Sequence, residues 1–239
     1  MSGMTDRLYF RQLLAGRDFA VGDPVATQMV NFAYLIGDRE TGDAVVVDPA
    51  YAVRDLLDVL AQDGMRLTGV LATHHHPDHV GGEMLGFSLP GIAELLAVEQ
   101  VPVHVNGAET EWVRRVTGVS GTDLRAHDHD DVLEVGAIPI RLLHTPGHTP
   151  GSQCFLVEDK LVSGDTLFLE GCGRTDFPGG DADEIYRSLQ ALAGLPGDPV
   201  VYPGHQYSAE PSAALSEVKR TNFVYRPRSL DEWKVMFGG

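Results

Sequence analysis

Histidine and aspartate residues recur directly after apolar segments along this 239-residue sequence. The densest group is His-x-His-x-Asp-His at positions 74–79, and three further members follow later in the chain. Imidazole and carboxylate groups are the ligands with which proteins bind zinc and other divalent transition metals. The residue types therefore predict a metal site whose candidate ligands are His74, His76, Asp78, His79, His148, Asp165 and His205.

The spacing within positions 74–79 predicts two neighbouring cation positions. Alternate residues of an extended segment face the same way, so His74 and His76 can contact one ion. Asp78 and His79 lie at a predicted turn into a helix and can face a second position. A carboxylate with two oxygens can bridge two ions. The residues expected to complete the centre are His148 at the first position, His205 at the second and Asp165 between them.

Short apolar segments rich in β-branched residues predict the strands that position these ligands. The predicted strands are Phe32–Ile36, Ala44–Val47, Leu67–Ala72, Ile138–Leu143, Cys154–Val157, Leu161–Val162 and Val200–Tyr202. Helical periodicity predicts Val53–Gln62, Ile92–Val98 and Ala182–Leu192, the last with Asp181 as its N-cap. Four of the strands run into candidate ligands beside a glycine or proline, so the ligands converge if these strands share one sheet edge.

Composition and charge narrow the class of protein. Hydrophobic residues make up 43% and charged residues 22%, which is ordinary for a folded globular chain, so we expect a single domain over residues 1–239 with a short C-terminal extension. Eighteen Lys and Arg against 34 Asp and Glu give a formal charge of −16, which argues against nucleic acid as a partner. Cys154 and Cys172 are too few for a thiolate zinc site or a disulfide framework.

The apolar segments also bear on location. None approaches the ~20 residues that a membrane span needs, and the N-terminal segment lacks the apolar stretch of a secretory signal. We therefore expect no membrane association and a cytoplasmic location. The sequence leaves open whether copies of the chain form a homo-oligomer.

The motifs resemble those of the metallo-β-lactamase superfamily. The resemblance rests on His-x-His-x-Asp-His, the loop around His148, Asp165 in Gly-Asp-Thr-Leu-Phe and His205 in Pro-Gly-His-Gln-Tyr, which together span most of the chain. It implies an α/β fold, the four-layer αββα metallo-β-lactamase sandwich, with the metals in a groove at one edge. It also implies that Asp48, at the end of Ala-Val-Val-Val-Asp, lies near the site.

Within that superfamily, the segment Gly-Cys-Gly-Arg at positions 171–174 is similar to a loop of glyoxalase II enzymes, the hydroxyacylglutathione hydrolases. The resemblance implies that Arg174 contacts the thiol part of the substrate, with an ion pair to Asp176 as the alternative reading. Tyr207 matches a Gly-His-x-Tyr pattern of the same enzymes. Its implied role is a hydrogen bond to substrate, and core packing is the alternative.

These observations favour a metal-dependent hydrolase that cleaves a thioester such as a hydroxyacyl-thiol. Two divalent ions, zinc first and iron or a mixed pair as alternatives, would activate water as a metal-bound hydroxide and polarise the scissile carbonyl. Asp78 is a candidate for steering the hydroxide as well as for binding metal. The leaving thiolate derives from an acid of pKa roughly 8.5, so it needs no strong general acid. The predicted partner is a small thiol-derived substrate.

Other activities stay open. The longer string at 171–177, Gly-Cys-Gly-Arg-Thr-Asp-Phe, also resembles persulfide dioxygenases, which implies a single iron bound by His74, His148 and Asp165. Lactonase or β-lactamase activity is less favoured, because the N-terminal segment does not resemble an export signal. A non-catalytic metal-binding protein is also less favoured, because no member of the ligand set is missing.

Several histidines outside the set are expected to be structural. His104 lies in a strand-like segment, and the acid-rich segment 127–131 is typical of a solvated turn. His144 lies close to the His148 loop and is a candidate for supporting a ligand through a hydrogen bond.

Overall fold

The structure, a computed structural model, describes residues 7–237. The strands within them are β1 Leu8–Leu14, β2 Phe32–Asp38, β3 Asp43–Val47, β4 Arg66–Leu71, β5 Gly82–Met84, β6 Phe87–Leu89, β7 Val103–Asn106, β8 Leu124–His127, β9 Val132–Val135, β10 Ile138–His144, β11 Gln153–Val157, β12 Lys160–Gly164, β13 Val200–Pro203 and β14 Ala213–Ala214. The α-helices are α1 Pro24–Met29, α2 Val53–Gln62, α3 Pro77–Val80, α4 Ile92–Val98, α5 Thr110–Thr117, α6 Ala182–Ala193, α7 Leu215–Thr221 and α8 Leu230–Phe237. Two 3-10 helices complete the list, Gly107–Glu109 and Phe223–Tyr225.

The strands form two six-stranded sheets and a separate hairpin. The first sheet has the order β1-β2-β3-β4-β7-β8, the second has the order β14-β13-β12-β11-β10-β9, and β5 pairs with β6. Both sheets are mixed: β3, β4, β7 and β8 run parallel in the first, and β12 runs parallel to β13 in the second. Parallel neighbours bring their carboxyl ends to the same edge of a sheet.

Side-chain alternation along β2 shows how the layers are built. Phe32, Tyr34 and Ile36 pack into the core between the two sheets, whereas Ala33 and Leu35 pack into the core beneath the helices of the first sheet. Successive strand residues face opposite sides, so one strand supplies both cores. The same division holds in β12, where Val162 faces the central core and Leu161 faces the helices of the second sheet.

Helices cover the outer face of each sheet. In α2 the buried residues Val53, Leu56 and Leu60 recur at helical spacing and join the core of the first sheet. In α6 the buried residues Ile185 and Leu189 join the core of the second sheet. The order of layers is therefore helix, sheet, sheet, helix, which confirms the predicted αββα sandwich.

The predicted elements agree with these boundaries to within two residues. All seven predicted strands and all three predicted helices are present, and the Asp181 side chain accepts hydrogen bonds from the backbone N–H groups of Asp183 and Glu184 as an N-cap. The elements that sequence patterns did not predict include β1, the β5–β6 hairpin, α5 and the two C-terminal helices. Among residues 7–237, no helix combines the length and apolar character needed to cross a bilayer.

Candidate metal centre

Four strand ends meet at one edge of the sandwich and carry the predicted ligands. β4 leads into the loop with His74, β10 into the loop with His148, β12 into Asp165 and β13 into His205. The backbone N–H of Gln153 donates to the Thr73 carbonyl at 2.9 Å, which joins the first two loops across the sheets. The structure thus brings together all seven residues singled out in the sequence, and all except the half-buried His76 are buried.

Three histidines form a first group. The Nδ1 of His76 lies 3.1 Å from the Nε2 of His74 and 3.0 Å from the Nε2 of His148. Zn–N bonds of 2.0–2.1 Å in tetrahedral geometry place neighbouring ligand nitrogens about 3.3 Å apart. The observed spacing therefore suits three imidazoles around one ion.

A second group lies beside the first. The Nε2 of His79 lies 3.2 Å from the Nε2 of His205 and 3.6 Å from an oxygen of Asp78, and the same Asp78 oxygen is 3.4 Å from His205. Two imidazoles and a carboxylate at these separations suit a divalent cation.

Asp165 lies between the two groups. One carboxylate oxygen is 3.7 Å from His148 and 3.4 Å from His205, and the other is 3.4 Å from His79. That second oxygen is buried and has no hydrogen-bond partner among residues 7–237. A buried carboxylate oxygen without a donor is costly, and a cation would satisfy it.

Hydrogen bonds fix how the imidazoles present their nitrogens. The Nδ1 of His148 donates to the Arg174 carbonyl at 2.7 Å, and the Nδ1 of His205 donates to the Met29 carbonyl at 2.8 Å. A carbonyl only accepts, so in both rings the proton is on Nδ1 and the lone pair of Nε2 faces the cluster. The backbone has therefore set the tautomer that metal binding requires.

Asp48 supports the second group from outside. Its carboxylate accepts hydrogen bonds from the Thr73 backbone N–H at 2.7 Å, the Thr73 hydroxyl at 2.6 Å and the Nδ1 of His79 at 2.8 Å. Asp48 adopts a φ of 52°, a left-handed conformation that few residues other than glycine tolerate. Asp48 is thus near the site, as the resemblance implied, and it orients His79.

A glycine beside Asp165 allows the strand ends to meet. A Cβ on Gly204 would lie 2.2 Å from a carboxylate oxygen of Asp165, far inside contact distance. Only glycine fits where β13 ends against β12. The Pro-Gly pair before His205 is therefore required by packing as well as by turn formation.

Charge and burial shift the pKa values of the cluster in opposite directions. Burial lowers the pKa of His74 and His148, and it lowers that of His76 to about 3, so these imidazoles stay neutral. Burial also disfavours the charged forms of His79 and Asp165, but for both residues the neighbouring groups of opposite charge outweigh the effect of burial. Asp165 and Asp78 raise the pKa of His79 to about 10, and His205 and His79 hold the pKa of Asp165 well below its usual value.

Two buried residues at the site carried no sequence signal. The carboxylate of Glu109 accepts hydrogen bonds from His75, Thr149 and Gly151. It therefore joins the loop that contains His74 and His76 to the loop that contains His148. The amide nitrogen of Asn31 donates to Asp78 at 3.2 Å, and Tyr51 donates to the Asn31 amide oxygen at 2.8 Å. Glu109 and Asn31 belong to no motif, and only the pairing of distant segments brings them to the centre.

The histidines predicted to be structural lie away from the seven residues. His104 is buried with its Nδ1 2.8 Å from the Nε2 of His127, which is the last residue of β8 rather than part of the turn. His144 donates from Nε2 to the Pro150 carbonyl at 2.9 Å, so it supports the loop backbone and not a ligand ring.

A cavity of about 900 Å³ opens onto the centre, and both predicted substrate-binding residues line it. Arg174 forms a bidentate ion pair with Asp176 at 2.6 and 2.5 Å, which is the alternative reading for this residue, while its side chain stays 59% exposed. The Tyr207 ring stacks on His205 at 4.7 Å and is 52% exposed, so it is not a core residue.

Cys172 also lines the cavity, but burial raises the pKa of its thiol to about 12 and keeps it protonated at neutral pH.

Comparisons with known proteins agree with this geometry. The chain is 37% identical over 206 residues to a hydroxyacylglutathione hydrolase of Rhodopseudomonas palustris, covering 84% of this chain and 72% of that protein. It is 34% identical over 197 residues to the human mitochondrial persulfide dioxygenase ETHE1, covering 80% and 70%. The crystal structure of ETHE1 from Myxococcus xanthus superposes with a TM-score of 0.77 at 31% identity, covering 97% of this chain and 90% of that one.

A model of the metallo-beta-lactamase superfamily matches residues 26–205, which is well over half of the chain and spans all seven residues of the centre. The match, the αββα layers and the convergent histidines and aspartates agree. The chain belongs to the metallo-beta-lactamase superfamily of enzymes.

Proposed function

We propose that this protein is a metal-dependent hydrolase that cleaves a thioester of a small thiol, such as a hydroxyacyl-thiol. The observation that carries the proposal is the completeness of both ligand groups, with an unpaired Asp165 oxygen between them. Seven residues from four separate loops form the two groups, and five of them line the cavity: His76, Asp78, His148, Asp165 and His205. The similarity to hydroxyacylglutathione hydrolases supports the same reaction.

In this proposal His74, His76 and His148 would hold the first ion. Asp78, His79 and His205 would hold the second, and Asp165 would serve both. Two divalent ions held by these residues would supply a hydroxide at neutral pH and polarise the scissile carbonyl. Zinc is the favoured metal, with iron or a mixed pair as alternatives.

The protein side chains orient the reaction. Because only one Asp78 oxygen faces His79 and His205, its other oxygen is available to accept a hydrogen bond from the attacking hydroxide and steer it toward the substrate carbonyl. The cavity walls bind the substrate, and Arg174 and Tyr207 are the polar groups proposed to contact its thiol part. A thiolate leaves readily because its conjugate acid has a pKa of roughly 8.5, so no general acid is assigned.

The test is hydrolysis of hydroxyacyl thioesters by metal-replete protein. We expect His76→Ala to reduce kcat/KM by more than the roughly 100-fold that loss of a supporting partner costs. His129→Ala is the control, because His129 is 56% exposed and lies outside the cavity. A metal-replete protein that leaves several thiol carriers uncleaved would overturn the proposal.

A second candidate function is persulfide dioxygenase activity. It is favoured by Gly-Cys-Gly-Arg-Thr-Asp-Phe at 171–177 and by the similarity to human ETHE1. In that case a single iron is bound by His74, His148 and Asp165, and the second group takes no metal. Dioxygen uptake by iron-loaded protein with a low-molecular-weight persulfide separates the two candidates, since the hydrolase consumes no dioxygen.

A further inference from the structure

Two arginines reach the cavity although the chain carries a formal charge of −16. Each guanidinium lies over an aromatic ring. The Cζ of Arg115 is 5.5 Å from the centroid of Trp112, and the Cζ of Arg174 is 4.1 Å from that of Phe177. An aromatic face attracts a cation and restricts where the guanidinium can go.

The two aromatic rings pack against the histidine loop of the metal centre. Trp112 stacks on His75 with centroids 4.8 Å apart and planes 22° apart. Phe177 meets His76 edge to face at 5.5 Å. Arg115 therefore lies over a ring that itself packs on the loop of His74 and His76, and it lines the same cavity as Arg174.

Arg115 differs from Arg114 and Arg174 because it forms no ion pair with an acidic residue among residues 7–237. Arg174 pairs with Asp176, and Arg114 pairs with Glu111 at 2.7 Å. Within residues 7–237, no carboxylate oxygen lies within 4.0 Å of the Arg115 guanidinium, although Glu83 lines the same cavity. In a strongly acidic protein, an arginine held on a ring in the cavity without an acid partner is available to an anionic ligand.

We propose that Arg115 determines substrate specificity by binding an anionic group on the thiol part of the substrate. This inference rests on the proposed hydrolase function and specifies its substrate class. The planar guanidinium suits bidentate binding of either a carboxylate or a phosphate group. Stacking on Trp112 holds Arg115 in place before substrate arrives, so little of its freedom is lost on binding.

The test uses hydroxyacyl thioesters of three thiols. Glutathione carries carboxylates, coenzyme A carries phosphates, and N-acetylcysteamine carries no charge. Arg115→Met keeps the length and apolar character of the side chain but removes the cation. We expect it to raise KM about 10-fold for a charged carrier, with kcat nearly unchanged, and to leave the N-acetylcysteamine thioester unaffected. Arg114→Met is the matched control, since it removes the adjacent, ion-paired arginine of the same helix.

The outcomes separate the sources of the anion. A loss confined to the glutathione thioester identifies a carboxylate, and a loss confined to the coenzyme A thioester identifies a phosphate. An equal loss on all three carriers would indicate a general structural effect and overturn the inference. So would an equal effect of Arg114→Met.

Binding of the free thiols distinguishes failure of this inference from failure of the proposed function. Titration calorimetry of metal-loaded protein with glutathione and with coenzyme A needs no turnover. If no thioester is cleaved but Arg115→Met weakens the binding of one thiol about 10-fold, the hydrolase proposal fails while the role of Arg115 stands. If wild type and Arg115→Met bind both thiols equally, or if wild type binds neither, the role of Arg115 is overturned.

Discussion

Glu109 accepts two hydrogen bonds from His75, one from its backbone N–H at 2.8 Å and one from its Nδ1 at 2.5 Å. The same buried carboxylate accepts hydrogen bonds from the hydroxyl of Thr149 at 2.8 Å and the backbone N–H of Gly151 at 2.7 Å. The loop before His76 and the loop after His148 are thus joined through one side chain. The geometry of the first ligand group depends on a residue that binds no metal.

Replacing this carboxylate should weaken the whole edge of the sandwich. The two oxygens of Glu109 accept four hydrogen bonds, and Glu109→Gln replaces one of these oxygens with an N–H₂ group that cannot accept. We expect a loss of about 1–3 kcal/mol in the free energy of unfolding, because buried donors lose their acceptor. Urea denaturation measures this loss, with Glu111→Gln, an exposed residue of α5, as the control. Equal midpoints for the two variants would show that Glu109 does not hold the loops together.

Asp48 should control metal affinity at the second group without contacting metal. Asp48→Asn keeps the size of the side chain but removes the charge that accepts the His79 Nδ1 proton. We expect about 10- to 100-fold weaker binding of the ion at that group, measured by competition with a chromophoric chelator. Asp43→Asn, at the other end of β3, should leave the affinity unchanged. Unaltered affinity in Asp48→Asn would contradict the supporting role.

Stability should depend on pH through His104, outside the metal centre. Burial, assisted by His127 and Arg125, lowers the pKa of His104 to about 4, against about 6.5 in an unfolded chain. The unfolded state therefore binds the proton first, so this contribution to stability is present above pH ~6.5 and is lost as the pH falls toward ~4.

The difference between wild type and His104→Gln isolates that contribution. Glutamine does not titrate, so the unfolding free energy of wild type minus that of His104→Gln should fall as the pH is lowered from 7 to 4. Chemical denaturation at a series of pH values measures both. Parallel curves over this interval would contradict the assignment.

Removing metal should lower the thermal stability of the protein. Asp78 and Asp165 are both buried, each with an oxygen 3.4 Å from the same His205 nitrogen, and cations would offset the repulsion between the two carboxylates. Free metal at 100 times its Kd stabilises the folded state by about 2.7 kcal/mol for a single site. Calorimetry with and without a chelator should therefore show a fall in the unfolding temperature that added zinc reverses. No shift in the presence of chelator would indicate that the cluster binds no ion.

The sequence predicted the ligands because their signals are local. Each ligand-bearing segment follows a short apolar strand and contains a glycine or proline, as with His148 between two Pro-Gly pairs. The strands themselves were predictable because successive residues such as Tyr34 and Leu35 pack into different cores, so both faces of the strand are buried and the segment is apolar throughout. The resemblance supplied the layer order that these patterns leave open.

The residues that were missed are set by long-range contacts. Glu109 meets His75 across 34 residues, and Asn31 meets Asp78 across 47. Nothing in the local sequence of either residue distinguishes it from a surface polar residue. Arg115 was not predicted for the same reason. The properties that distinguish it are its position over the Trp112 ring and the absence of an acidic partner within residues 7–237, and both depend on the folded structure. Pairing between distant segments cannot be read from spacing within one segment.

The number of metal ions per chain tests the central claim most directly. Protein supplied with both zinc and iron should contain two divalent ions per chain by elemental analysis, and His205→Ala should reduce this number to about one, since it removes a donor from the second group alone. Wild-type protein that contains no divalent ion would contradict the account. So would a single ion whose occupancy is unaffected by His205→Ala, because the second group would then bind no metal.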